Sequence, residues 1–116
     1  MFKLTTLSNE PKQRITVLLK DTTRLVLDFE YIPNQIGWFF GFEYNGNRYD
    51  NIRLTTSYNI LRAYRKWLTF GIRCDTLDGE EPMDLNDFRS GYAKIYVLTK
   101  EELELIESKY YVKERS

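Results

Sequence analysis

Two stretches of strict alternation govern what this chain can become. From Thr23 to Tyr31, Leu25, Leu27, Phe29 and Tyr31 recur at every second position; from Gly37 to Tyr44, Trp38, Phe40, Phe42 and Tyr44 do the same. Period two puts each set on one face of an extended strand, whereas a helix would scatter it. Arg24, Asp28 and Glu30 fall on the opposite face of the first run, with Val26 among them. An earlier run, Arg14 to Lys20, aligns Ile15, Val17 and Leu19 in the same way. The polar residues Lys20-Asp21-Thr22-Thr23 between them predict a hairpin. Pro33-Asn34-Gln35 interrupts the pattern before the tryptophan strand, and Asn45-Gly46 ends that strand with the residue pair best suited to a two-residue turn. Asn47 to Leu54 is then its partner. Whether Trp38 or Phe39 points inward stays open at this level, because a one-residue slip exchanges the faces.

Thr55-Thr56-Ser57 offers helix-capping hydroxyls, and Ile60, Leu61 and Tyr64 follow at helical spacing, predicting a short central helix of about two turns. Trp67 to Cys74 returns to strand with Leu68, Phe70, Ile72 and Cys74 alternating. Asp75 to Phe88 reads as an acidic loop, and Tyr92 to Leu98 as the last long strand. Thr99-Lys100-Glu101-Glu102 matches a capping box, in which Thr99 and Glu102 satisfy each other's backbone N–H groups. A C-terminal helix to about Ser108 is expected, with Leu103 and Ile106 facing the sheet. Tyr110-Tyr111-Val112 is expected to add a short extended end or to pack on a partner. Residues 1–116 thus form a single mainly β domain, with 103–116 as C-terminal helix and extension. Six or seven antiparallel strands would make a sandwich or partly open barrel around Leu25, Leu27, Phe29, Trp38, Phe40, Phe42, Phe70 and Ile72.

Composition supports a packed domain and removes several functions. Nine Tyr, seven Phe and two Trp in 116 residues supply the rigid rings that fill β-cores and interfaces. Seventeen basic residues balance seventeen acidic ones, without the basic excess that phosphate binding favours. There is no His, which rules out histidine triads and histidine metal sites. The lone Cys74 cannot form an internal disulfide and occupies an apolar strand position, as a small buried hydrophobe would. Neither a secretory leader nor a membrane-spanning run is evident, so a soluble protein folded in a reducing cytoplasm is expected.

Three features remain as candidate chemistry. The acidic loop carries Asp75, Asp78, Glu80, Glu81, Asp84 and Asp87. Clustered carboxylates suit Ca²⁺, but Asp75-Thr76-Leu77-Asp78-Gly79-Glu80-Glu81 lacks the alternating oxygens of an EF-hand loop. A solvated loop, or one docking a basic partner surface, is the plainer reading. Paired glycosidase carboxylates need a fixed spacing in a cleft, which a surface loop rarely supplies. Arg62, Arg65 and Lys66 form a basic cluster near Tyr58, Tyr64 and Trp67. Basic residues among aromatics can bind single strands by stacking; equally, this is a helix with charges facing water, or a patch meeting the acidic loop of a neighbouring subunit. Tyr110 and Tyr111 complete the interaction candidates. No residue set indicates an enzyme, a metal or a cofactor.

The order of these features carries a resemblance. A strand pair leads into Gly37-Trp38-Phe39-Phe40-Gly41-Phe42 and Asn45-Gly46. Then come Tyr58-Asn59-Ile60-Leu61-Arg62-Ala63-Tyr64, the strand Leu68-Thr69-Phe70-Gly71-Ile72 and the loop Asp78-Gly79-Glu80-Glu81-Pro82. Tyr92-Ala93-Lys94-Ile95-Tyr96-Val97-Leu98-Thr99 closes the series. From about residue 12 to residue 103 the chain resembles the phage baseplate plug family of small tail proteins. The resemblance implies a structural virion component without enzyme activity or catalytic residues. It would sit near the end of the tail tube, in a ring of several copies, against hub, tube or wedge proteins. Assembly in the host cytoplasm would agree with one free cysteine. Glu104 to Ser116 extends past the resembling region. The alternative function is a small β-barrel module binding nucleic acid or a host protein.

Overall fold

The computed structural model describes residues 1–20 and 22–110, with the side chain of Tyr110 outside the description. The alternating runs become the strands they predict. β1 is Phe2–Lys3, β2 Lys12–Leu18, β3 Arg24–Ile32, β4 Gly37–Tyr44, β5 Asn47–Arg53, β6 Gly71–Thr76 and β7 Ala93–Leu98; the helix α1 is Lys100–Tyr110. They form two open antiparallel sheets, a four-stranded one in the order β2-β3-β4-β5 and a three-stranded one in the order β1-β7-β6. Both sheets contribute to one apolar core. Openness favours the sandwich over the barrel, and it leaves strand edges to be accounted for.

The four-stranded sheet is a meander of hairpins. Ile15 faces Leu27 and Val17 faces Leu25, so the alternating residues of both strands share the inner face. Tyr31 stands opposite Trp38, and Phe29 opposite Phe40. Trp38 is wholly buried while Phe39 is only half-buried on the outer face, which settles the register of the tryptophan strand. Asn45 and Gly46 take φ of 52° and 78°, the left-handed pair that matches the twist of a tight hairpin. Within β4–β5 the pairing shifts between Phe40 and Phe42, so that Asp50 and Asn51 together oppose Gly41. Asn51 absorbs the extra residue at φ 61°. Gly41 is needed there: a Cβ would lie 2.4 Å from Asp50 Oδ1 and 2.7 Å from the Tyr49 carbonyl.

All eight residues expected in the core are buried. Phe42 stacks on Tyr49 of its own sheet at 4.5 Å and meets Phe70, the residue just before β6, edge-on at 5.6 Å. The capping box is present: Glu102 Oε1 accepts from Thr99 N–H at 2.9 Å, and Thr99 Oγ1 accepts from Glu102 N–H at 3.2 Å. Leu103 is fully buried and Ile106 half-buried, as their spacing predicts. The helix continues through Tyr110; Tyr111 and Val112 lie outside the described residues.

The central helix differs from expectation. It is a single 3-10 turn, Arg62–Tyr64, and not two α-helical turns. The reason is Asn59. Its buried carboxamide oxygen accepts the N–H groups of Leu61 and Ile72, each at 3.1 Å. A side chain that takes over backbone donors competes with helix formation. Ser57 pairs with Cys74, and Ile60 N–H donates to the Ile72 carbonyl at 2.8 Å. Residues 57–60 therefore line the outer edge of β6 in place of another strand. The strand expected from Trp67 starts at Gly71, because Leu68 and Phe70 turn inward before any ladder partner begins.

Candidate interaction surface

The acidic loop between β6 and β7 is tied down along its length. Thr76 and Thr56 hydroxyls donate to the Glu80 carbonyl at 2.7 and 3.2 Å. Asp78 accepts from the Tyr92 hydroxyl, a contact that lowers the Asp78 pKa and raises that of Tyr92. Glu81 pairs with Arg53 at 3.2 Å. Tyr31 donates to the Met83 carbonyl at 2.9 Å and the Trp38 indole N–H to the Asp84 carbonyl at 3.1 Å. Buried Asp87 accepts from Asp84 N–H at 2.9 Å, and the Asp87 carbonyl accepts from Ala93 N–H at 3.0 Å. Phe88 then packs on Trp38, with ring centres 4.6 Å apart. The carboxylates are thus distributed among separate partners. Among the described residues, no three acidic or cysteine side chains come together as a metal-binding group. The loop is a lid over one end of the aromatic core, hung from the rings beneath it.

The basic cluster is also divided. Arg65 forms a 2.6 Å ion pair with Glu107 of α1, which fastens the 3-10 region to the helix. Tyr64 packs edge-on to Tyr49 at 5.3 Å, and the Arg73 guanidinium lies 4.9 Å from the centre of the Tyr58 ring. Two of the three neighbouring rings are therefore engaged within the chain. Lys66 and Arg62 are exposed, and Trp67 beside them is 67% exposed. Its exposure agrees with the alternation of Leu68, Phe70, Ile72 and Cys74, which leaves Trp67 on the opposite face. Of Tyr110 only the backbone is described, and Tyr111 lies outside the described residues.

The outer face of the four-stranded sheet carries a charge ladder across β2, β3 and β5. Arg14 meets Asp28 at 2.7 Å, Arg48 meets Asp28 at 2.8 Å, and Arg48 also meets Asp50 at 2.8 Å. Gly41 leaves the space beneath this row. The hydrogen bond from Arg14, followed by that from Arg48, outweighs desolvation and holds the Asp28 carboxyl below its ordinary value of 3.8. A depressed folded-state pKa adds stability above the unfolded value, and that stability is lost as pH falls through the folded value. Asp28→Asn is accordingly expected to flatten the loss of melting temperature on acidification below about pH 4. Equal acid sensitivity of the two proteins would contradict this role.

Cys74 is fully buried, and burial first, then Asp75 and Asp87, pushes its thiol up to about 12. A thiol held protonated is a poor nucleophile. Native protein is expected to resist a disulfide-exchange reagent at neutral pH and to react stoichiometrically in urea. Rapid labelling of the native state would overturn this assignment.

Residues that local patterns left unremarked lie at the open side of the sandwich. Leu18 is 70% exposed and Phe2 59% exposed. Its signal in the sequence is an apolar side chain on the otherwise polar face of an alternating strand. In comparisons with known proteins, the chain matches no family model and no curated protein.

Proposed function

We propose that this chain is a structural component of a bacteriophage tail baseplate, a small plug or ring protein near the end of the tail tube that binds hub, tube or wedge proteins. One observation carries the reading: the order of the tryptophan strand, the Asn45-Gly46 hairpin, the acidic loop and the closing tyrosine strand resembles the baseplate plug family. The arrangement of the surface is compatible with it. A loop fixed on an aromatic core, an ion-paired sheet face and an exposed Trp67 are parts of a rigid body suited to contacts between proteins. In this role the chain is made in the host cytoplasm, ends in the virion and catalyses nothing. Mass spectrometry of purified particles from a phage encoding the chain is expected to find it in fixed stoichiometry with tail proteins. Particles made without it are expected to have defective tails. Absence from purified particles, or full infectivity without it, would overturn the proposal.

Trp67 beside Lys66 and Arg62 favours a second reading, a small module that binds nucleic acid by stacking or that binds a host protein. A labelled single-stranded DNA would then shift in a salt-dependent manner, and Trp67→Ala would abolish the shift. No shift at low salt would leave the nucleic-acid version without support.

A further inference from the structure

We propose that the free edge of β2 is a strand-addition site for an extended segment of another protein in which carboxylates and apolar residues alternate. This inference does not rest on the tail assignment.

The four edges of the two sheets are treated differently. β6 is lined by residues 57–60. β5 is distorted by the bulge at Asn51 and carries Arg48 and Asp50, both devices that discourage pairing. β1 has only two residues. β2 is seven residues long, has no register shift against β3 and, among the described residues, ends its sheet with no strand beyond it.

The direction of its backbone groups follows from the ladder. Tyr31 N–H donates to the Pro11 carbonyl and Leu19 N–H to the Thr23 carbonyl. Hydrogen-bonded pairs alternate in an antiparallel ladder, so Gln13, Ile15 and Val17 bond to β3. The N–H and C=O groups of Lys12, Arg14, Thr16 and Leu18 therefore point away from the sheet, in the row a further strand requires.

Side chains along this edge specify what fits. On the outer face Lys12, Arg14, Thr16 and Leu18 project in sequence, two cations at one end and an exposed leucine at the other. Arg14 holds Asp28 through Nε and Nη2 at 2.7 and 3.2 Å, and Lys12 sits 3.9 Å from Glu30. Both cationic side chains stay largely exposed, and Arg14 Nη1 and the remaining Lys12 ammonium donors are placed to meet a second carboxylate. At the C-terminal end of β2, an apolar groove of about 460 Å³ lies between Val17–Leu18 and the other sheet, lined also by Phe2, Phe70, Val97 and Leu98. An added strand would place carboxylates opposite Arg14 and Lys12, an apolar residue opposite Leu18, and the apolar residue facing Val17 over the groove.

The test is fluorescence polarisation with the full chain and a fluorescein-labelled peptide in which valine alternates with leucine, threonine, glutamate and glutamate in that order. Laid antiparallel, its leucine meets Leu18 and its glutamates meet Arg14 and Lys12. Saturable binding is expected. It should weaken by roughly tenfold or more when lysines replace the glutamates, since like charges then face each other. Thr16→Pro removes an N–H that makes no ladder bond, so the fold should persist while binding is lost. N-methylation of the peptide at its threonine and first glutamate should abolish binding without altering the protein. No binding, equal binding of the lysine peptide, or indifference to N-methylation would overturn the proposal. So would dimerisation of the chain alone that Thr16→Pro abolishes, because a second copy would then be the occupant. Particle composition reads the tail assignment separately, so failure of one leaves the other standing.

Discussion

Trp38→Ala is expected to remove about 3–5 kcal/mol of stability, the range for deleting a large buried aromatic. Set against the ~5–15 kcal/mol of an ordinary domain, that is a large share of the total, and nearly all of it at the low end of the range. The expectation rests on what the ring touches. Trp38 is wholly buried, meets Tyr31 at 5.5 Å and Phe88 at 4.6 Å, and donates its indole N–H to the Asp84 carbonyl. Alanine would leave a cavity between the sheet and the acidic loop and would remove one of the loop's ties. Trp38→Phe separates the two effects: most of the ring volume stays, the indole donor goes, and a loss of roughly 1–2 kcal/mol is expected. Urea denaturation followed by circular dichroism distinguishes them. An alanine variant within 1 kcal/mol of the parent would mean that the ring does not hold the loop and core together.

The second large effect belongs to Asn59→Ala. The carboxamide oxygen is the acceptor for both Leu61 and Ile72 N–H groups in a buried setting. Each stranded donor costs about 1–3 kcal/mol, so a total near 3 kcal/mol is expected from the loss of only a few buried atoms. Amide exchange should accelerate selectively at Ile72 and Leu61 in the variant. Unchanged protection of both amides would show that another acceptor replaces the side chain. Gly71 belongs to the same arrangement: a Cβ there would lie 2.7 Å from both Asn59 Oδ1 and Leu103 Cδ2, so the glycine lets the asparagine and the helix close over the strand.

Much of this architecture is legible in local pattern. Leu25, Leu27 and Phe29, or Phe40 and Phe42, have only one way to be buried together, and Asn45-Gly46 or Thr99 with Glu102 specify their own backbone geometry. What resists reading depends on side chains acting at a distance. The spacing of Ile60, Leu61 and Tyr64 is truly helical, but nothing within a few residues reveals that Asn59 will bind Ile72. Counting carboxylates from Asp75 to Asp87 measures charge, not the fact that Trp38 and Tyr31 hold the loop by its carbonyl groups. The candidate cations were likewise separated by Glu107, on an element far along the chain. The free edge of β2 is invisible to any local pattern, because being an edge depends on the order of strands in the finished sheet.

That order also dictates a sequence of assembly in time. The meander β2-β3-β4-β5 is complete once the chain has emerged through Arg53, and each of its pairings joins neighbours. The three-stranded sheet is the opposite case, since Phe2 lies beside Val97. Its central strand, β7, is the last of the described strands to be synthesised, and β1 must remain without its partner until then. Pairings between such distant segments form slowly and leave apolar surface open meanwhile. On the ribosome, Phe2 and Lys3 are among the last residues to find their place.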